Sequence, residues 1–202
     1  MSAILLCDRW SAFWELRAST DGFLSRWASF GHYASAWQDP SSPLSFLPIA
    51  EFGMRILVLG AGAVGGYFGG RMASTGSDVT FLVRANRAAQ LSEGLKIESP
   101  HGDATIPVKT LTAGNLGGPF DVIILSCKAY GLAGALEAIA PLVEDGTVIL
   151  PLLNGYAHVE KLEQQFPSAT VWGGTAGIIA TLTEDGTVRQ MHPNQIIAVG
   201  SR

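Results

Sequence analysis

The sequence predicts a doubly wound, mostly parallel α/β sheet of Rossmann type over residues 54–202, and three observations carry that expectation. A glycine turn of the form G-x-G-x-x-G stands between an aliphatic run and a helical pattern. Strand-like and helix-like segments then alternate as far as Phe166, which implies parallel strands joined by right-handed crossovers. After Pro167 the helices stop and β-rich segments take over, so antiparallel strands are expected at the C-terminal edge of the sheet.

The first strand is Arg55 to Leu59, aliphatic throughout, as befits a strand covered on both faces. Gly60, Ala61, Gly62, Ala63, Val64 and Gly65 follow as the turn. The first glycine permits the tight bend, the second lets a pyrophosphate approach the backbone, and the third lets the helix lie close to the strand. Unpaired N–H groups at the helix start favour an anion there. Along the helix Val64, Phe68 and Met72 form an apolar stripe, while Gly65, Gly69, Gly66 and Gly70 make a thin face. Each internal glycine costs roughly 1 kcal/mol against alanine, so close approach to a neighbouring backbone or a cofactor is the expected reason for four of them.

Gly76 ends the helix, and Asp78 to Val83 is the second strand. An acid at the tip of that strand would take the ribose hydroxyls of NAD. Arg84 stands there instead, with Arg87 a helical turn further on, and two guanidinium groups favour the 2′-phosphate of NADP. A glycine-rich turn of structural use alone and a solvated loop arginine are the plainer alternatives.

Ala85 to Leu91 reads as a short helix stopped by Gly94, and Leu95 to Ser99 and Ala104 to Val108 flank a hairpin turn holding His101, expected in solvent. Phe120 to Ser126 is a buried strand. Leu132, Leu136, Ile139 and Val143 give a helical stripe, Thr147 to Leu153 the next strand, and Val159, Leu162 and Phe166 the next helix. Thr170 to Thr181, Thr187 to Met191 and Gln195 to Val199 are read as strands finishing the far edge, partly antiparallel.

Residues 1–53 differ in kind: they hold four of the five Trp, nine Ser and no Lys, but three of the 24 Gly. They lack the basic start and apolar core of a secretory signal, and Asp8, Glu15, Asp21 and Asp39 count against a mitochondrial transit peptide. Trp10, Phe13, Trp14 and Leu16 suit an amphipathic turn or two, and Asp39 to Pro43 a linker. The expectation is a poorly structured leader with the domain starting at Met54; the rival is a docking arm anchored by its tryptophans.

A net charge of −4 gives no sign of nucleic acid or an anionic membrane as partner. No apolar run approaches the ~20 residues of a membrane span. Cys7 and Cys127 have no disulfide or metal-ligand spacing, which suits a reducing cytoplasm and predicts no metal. A homo-oligomer is compatible with all of this.

Ligands of open α/β sheets lie outside the carboxyl ends of the strands, where Lys128 and Asn154 each follow a strand. Lys128 suits a substrate carboxylate or a cofactor hydroxyl, and Asn154 suits hydrogen bonds to the ribose or substrate. A surface lysine and an Asn-Gly turn are the structural readings.

GAGAVGGYFGGRMASTGSDVTFLVR, SCKAY and LLNGY, in this order and spacing from Met54 onward, resemble the amino-terminal domain of the ketopantoate reductase (2-dehydropantoate 2-reductase) family. The resemblance implies NADPH-dependent reduction of 2-dehydropantoate to pantoate, the step serving pantothenate synthesis. It implies that Gly60 to Gly65 hold the pyrophosphate, Arg84 the 2′-phosphate, and that Lys128 and Asn154 border nicotinamide and keto acid. It adds Ala180 as a cofactor contact and His192 as a structural residue. In that family the general-acid lysine, its supporting glutamate and further substrate ligands belong to a helical C-terminal domain expected beyond Arg202. The chain alone is thus expected to bind NADP(H) and to be a poor catalyst. A non-catalytic NADP(H)-binding module and a reductase of another 2-keto acid are the alternatives; a sugar-nucleotide or polyol-phosphate dehydrogenase fits the Cys127-Lys128 and Asn154-Gly155 pairs less well.

Overall fold

The computed structural model describes residues 2–6, 15–17, 53–113 and 117–200. In chain order these form β1 (Ser2–Leu6), β2 (Glu15–Arg17), β3 (Arg55–Leu59), α1 (Ala63–Ser74), β4 (Asp78–Leu82) and α2 (Ala85–Gln90). Next come β5 (Leu95–Glu98), β6 (Ala104–Ile106), β7 (Lys109–Leu111), β8 (Val122–Leu125) and α3 (Leu132–Ile139). The chain closes with β9 (Val148–Pro151), α4 (Ala157–Gln165), β10 (Thr170–Val171), β11 (Gly173–Leu182) and β12 (Val188–Gly200).

One sheet has the order β10-β9-β8-β3-β4-β7, with every pairing parallel. Counted among its own strands this is the 3-2-1-4-5-6 order of the doubly wound fold, whose switch point falls between β3 and β8. Alternation along β3 sends Ile56 and Val58 to one face and Leu57 and Leu59 to the other, and all four are buried. The Leu57 face packs with Ile123, Leu125 and Ile149 against Leu132, Leu136 and Ile139 of α3 and Val159 and Leu162 of α4. The Val58 face packs with Phe81 and Ile124 against Tyr67, Phe68 and Met72 of α1. Each such side chain contributes about 1.5–3 kcal/mol by leaving water.

The antiparallel strands expected near the C-terminus are present, and they pair in a second sheet instead of at the far edge of the first. Its order is β2-β1-β12-β5-β6, with β11 also on β12. Only β10 closes the edge of the parallel sheet. The second sheet lies over α1, so Leu95, Ile97, Ile106, Val188 and Ile197 share one core with the upper face of the first. Helix α1 is therefore covered on two sides, and its glycines divide accordingly. A Cβ on Gly69 would meet the Phe81 ring at 2.7 Å and Val58 at 3.0 Å. One on Gly66 would meet Val188 at 2.9 Å, and one on Gly70 Leu95 at 2.7 Å. The thin face is two thin faces, one for each sheet.

The expected β5–β6 hairpin forms. Its His101, expected in solvent, is partly buried, with Nε2 at 2.6 Å from the Pro193 carbonyl oxygen. That bond ties the hairpin turn to a bulge in β12: Ile178 pairs with Gln195 and Ala180 with Gln190, leaving Met191 to Asn194 without partners on β11. Pro193, which has no N–H to give a ladder, stands inside that bulge. The two segments read as separate strands are thus one bent strand. Helix α3 ends before Val143, which is extended after a 3-10 turn at Ala140–Leu142. Strand β7, three residues at the sheet edge, was not expected from the sequence at all.

Of the leader, β1 pairs antiparallel with β12 and β2 with β1. Trp10, Phe13, Trp14 and the 39–43 linker lie outside the described residues. No helix among those described is long and apolar enough to cross a membrane.

Candidate functional site

The carboxyl ends of the central strands are level. Leu59 of β3 pairs with both Leu125 of β8 and Leu82 of β4, and Leu125 pairs with Pro151 of β9. Everything that follows these residues, namely the glycine turn, Arg84, Lys128 and Asn154, emerges along one rim of the sheet.

At the centre Gly60 turns with φ +92°, a left-handed conformation that disfavours any side chain, and its N–H donates to Leu82 O at 2.9 Å. Gly62 is the N-cap of α1; no side chain caps the helix and no acid occupies its first turn. A Cβ on Gly62 would find nothing within 4 Å. The half-exposed helix start thus faces open space, carries partial positive charge and has room for phosphate oxygens. Gly65 is the tight point, since a Cβ there would stand 2.1 Å from Ser126 Oγ and 2.4 Å from Gly60 O. Ala61 is buried, and Ala63 and Val64 open the helix half-exposed.

Ser126, which the sequence reading passed over, holds this turn from the neighbouring strand. Its hydroxyl donates toward Leu59 O at 2.9 Å and lies 3.2 Å from Gly60 O. A serine directly after a buried strand, facing the glycine turn across the switch point, was the available signal.

Arg84 is the exposed N-cap of α2, just beyond the end of β4. Arg87, expected beside it at the 2′-phosphate, is instead committed inside the protein. Its Nε donates to Ala61 O at 3.0 Å, and its Nη1 to Gly186 O at 2.9 Å and Gln90 Oε1 at 3.1 Å. The first turn of α2 carries residue 87 back toward the glycine turn while Arg84 stays at the rim. Partial burial lowers the guanidinium's pKa.

Lys128 is exposed at the start of a 3-10 turn, Ala129–Gly131, and Asn154 is exposed before Gly155. Their strands are adjacent and in register, so the structure brings both to the same rim. Tyr130 and Tyr156 beside them are 88% and 51% exposed, unusual for side chains of that size. Burial pushes the Cys127 thiol up, which keeps it protonated and a weak nucleophile near neutrality. Ala180 lies in the second sheet, half-buried, next to the β12 bulge. Its strand starts against the end of β9, where a Cβ on Gly174 would meet Pro151 O at 2.6 Å. His192 is exposed in the bulge, and its Nδ1 accepts the Asn194 N–H at 3.2 Å.

Comparison with known proteins agrees with this geometry. The family described as "Ketopantoate reductase PanE/ApbA" matches residues 56–202. A curated relative, "Uncharacterized oxidoreductase YkpB" of Bacillus subtilis, is 44% identical over 136 residues, 67% of this chain and 45% of its own length. A crystal structure of 2-dehydropantoate 2-reductase from Geobacter metallireducens superposes with a TM-score of 0.66 at 36% identity, covering 73% of this chain and 49% of that one. The ternary structure of D-mandelate dehydrogenase with NADH and anilino(oxo)acetate gives a TM-score of 0.63 at 27% identity, covering 69% and 46%. The chain spans less than half the length of YkpB.

Proposed function

The chain belongs to the ketopantoate reductase PanE/ApbA family over residues 56–202, and from that membership we propose that it is the coenzyme-binding part of an NADPH-dependent reductase of 2-dehydropantoate. The observation that supports the reading most is the level rim of β3, β8 and β9, which aligns the glycine turn with Lys128 and Asn154.

In this reading the N–H groups of the turn and of the start of α1 hold the pyrophosphate. Arg84, exposed at the end of β4, receives the 2′-phosphate through its planar fork. NADPH, when bound, supplies the hydride for the keto carbon. The Lys128 ammonium attracts the substrate carboxylate, and the Asn154 amide donates to and accepts from substrate or ribose oxygens. Because a structural neighbour is seen with NADH, the fold alone does not choose between coenzymes; Arg84 is the residue proposed to do so.

Reduction of the ketone also needs a proton at the developing alkoxide. A positioned general acid gives roughly 100- to 10,000-fold in rate. Of the rim residues described, Lys128 is assigned to the carboxylate, and none of the others corresponds to the family's general-acid lysine, which the resemblance puts in a C-terminal domain. The 202-residue chain by itself is therefore proposed to bind NADPH and to turn it over poorly. The test mixes this chain with NADPH and 2-dehydropantoate and follows nicotinamide absorbance and protein-bound coenzyme fluorescence. Enhanced fluorescence with background oxidation is expected. Enzyme-like turnover would contradict the missing-donor account, and no fluorescence change would remove the coenzyme reading.

A further inference from the structure

The structure assigns Arg87 as a positioning residue for the coenzyme pyrophosphate: it braces the glycine turn from behind against the tip of the β11–β12 hairpin and brings a positive charge to it. This rests on the reading of Gly60 to Gly65 as the coenzyme turn and adds to it a residue outside the turn.

The brace has two ends. At one, Arg87 Nε donates to the carbonyl of Ala61, between the first two glycines of the turn. At the other, Nη1 donates to Gly186 O, a residue 99 positions away in sequence. Gly186 sits at φ +86° in a turn that is itself pinned. The Asp185 carboxylate accepts from Thr187 Oγ1 at 2.8 Å and from the Thr183 hydroxyl at 2.5 Å. The hairpin tip is a firm anchor, and the planar guanidinium joins it to the turn in one geometry.

Charge is the second point. Every hydrogen-bond partner of the Arg87 guanidinium among the described residues is neutral: two carbonyls and the Gln90 amide. Its Nη2 is buried with no partner. A partly buried cation answered only by dipoles is costly in the free protein, and a doubly charged pyrophosphate at the turn supplies the missing countercharge. Arg87 therefore acts on the part common to NADPH, NADH and ADP-ribose, whereas Arg84 acts on the 2′-phosphate.

The experiment titrates the chain, Arg87→Gln, Arg87→Lys, Gly186→Ala and Arg84→Gln with NADPH, NADH, ADP-ribose and 2′-AMP, after melting curves verify folding. Arg87→Gln is expected to weaken the three pyrophosphate ligands by a similar factor, about tenfold, and to leave 2′-AMP within about twofold. Arg87→Lys, which keeps the charge and loses the fork, should fall between. Gly186→Ala should follow Arg87→Gln, since its Cβ would stand 2.5 Å from Nη1. Arg84→Gln should show the reverse pattern, weakening NADPH and 2′-AMP alone. Loss confined to NADPH in Arg87→Gln, or affinities unchanged in both Arg87 variants, overturns the assignment. If the unaltered chain binds the last ligand but none of the first three, or none of the four, the coenzyme reading itself fails and takes this inference with it.

Discussion

Two glycines of the turn separate what the fold needs from what a ligand needs. At Gly62 a methyl group would enter open space with φ −84°, which alanine accepts. Gly62→Ala should therefore melt like the parent, within about 0.5 kcal/mol, yet lose coenzyme affinity because the methyl occupies the approach to the helix start. At Gly65 the added carbon meets Gly60 O at 2.4 Å, a backbone atom that cannot swing aside. Gly65→Ala should lose about 1–3 kcal/mol in urea unfolding as well as binding, and Ser126→Ala should not rescue it. Arg84→Glu is the charge test: NADPH affinity should fall relative to NADH in a competition titration, because a carboxylate at the end of β4 repels the 2′-phosphate and welcomes the ribose hydroxyls. An unchanged ratio would remove Arg84 from the coenzyme assignment. The glycines and Arg84 were legible in the sequence because a tight turn and a strand tip are local facts. The tie from Arg87 to the turn was not legible because its other partner, Gly186, is 99 residues away, and only tertiary structure brings the two together.

Helix α1 is the element on which both sheets depend. Its two glycine faces differ in what they press against. All the side chains over them are fully buried, but Gly69 lies under the rigid Phe81 ring, whereas Gly70 lies under the ends of the aliphatic Leu95 and Ile97 chains, which can turn aside. Gly70→Ala should come out near neutral, since the helix gains up to about 1 kcal/mol in propensity and the leucine end can yield. Gly69→Ala should be clearly destabilising by urea unfolding; the opposite ranking would mean that α1 does not sit between the sheets as described. The hairpin tip that holds Arg87 carries a strongly lowered carboxyl. Hydrogen bonds from Thr183 and Thr187 pull the Asp185 carboxyl from 3.8 to about 2. Its folded value is the lower one, so the stability it gives the turn is complete above about pH 4 and is lost as pH falls toward about 2. The protection of the Thr187 amide, taken relative to its intrinsic exchange rate at each pH, should fall through that window, and Asp185→Asn should abolish the dependence.

For the molecule as a whole, the β-α-β alternation was readable because it is written in local periodicity, and with it the expectation of parallel strands. The division into two sheets was not readable. A β-rich segment carries no mark of its partner, and β5 finds β12 across 91 residues, as the Ser99–Gln190 hydrogen bond shows. Strand β7 is too short to show a period. Lys128 and Asn154 were legible as ends of strands, whereas Ser126 looked like the last residue of one. Sharing α1 and one core should make the two sheets unfold together. The account stands most directly on calorimetric titration of the 202-residue chain with NADPH and, separately, NADH. It predicts one site per chain for NADPH, with NADH at least about tenfold weaker; no heat with either coenzyme, or tighter binding of NADH, would contradict it.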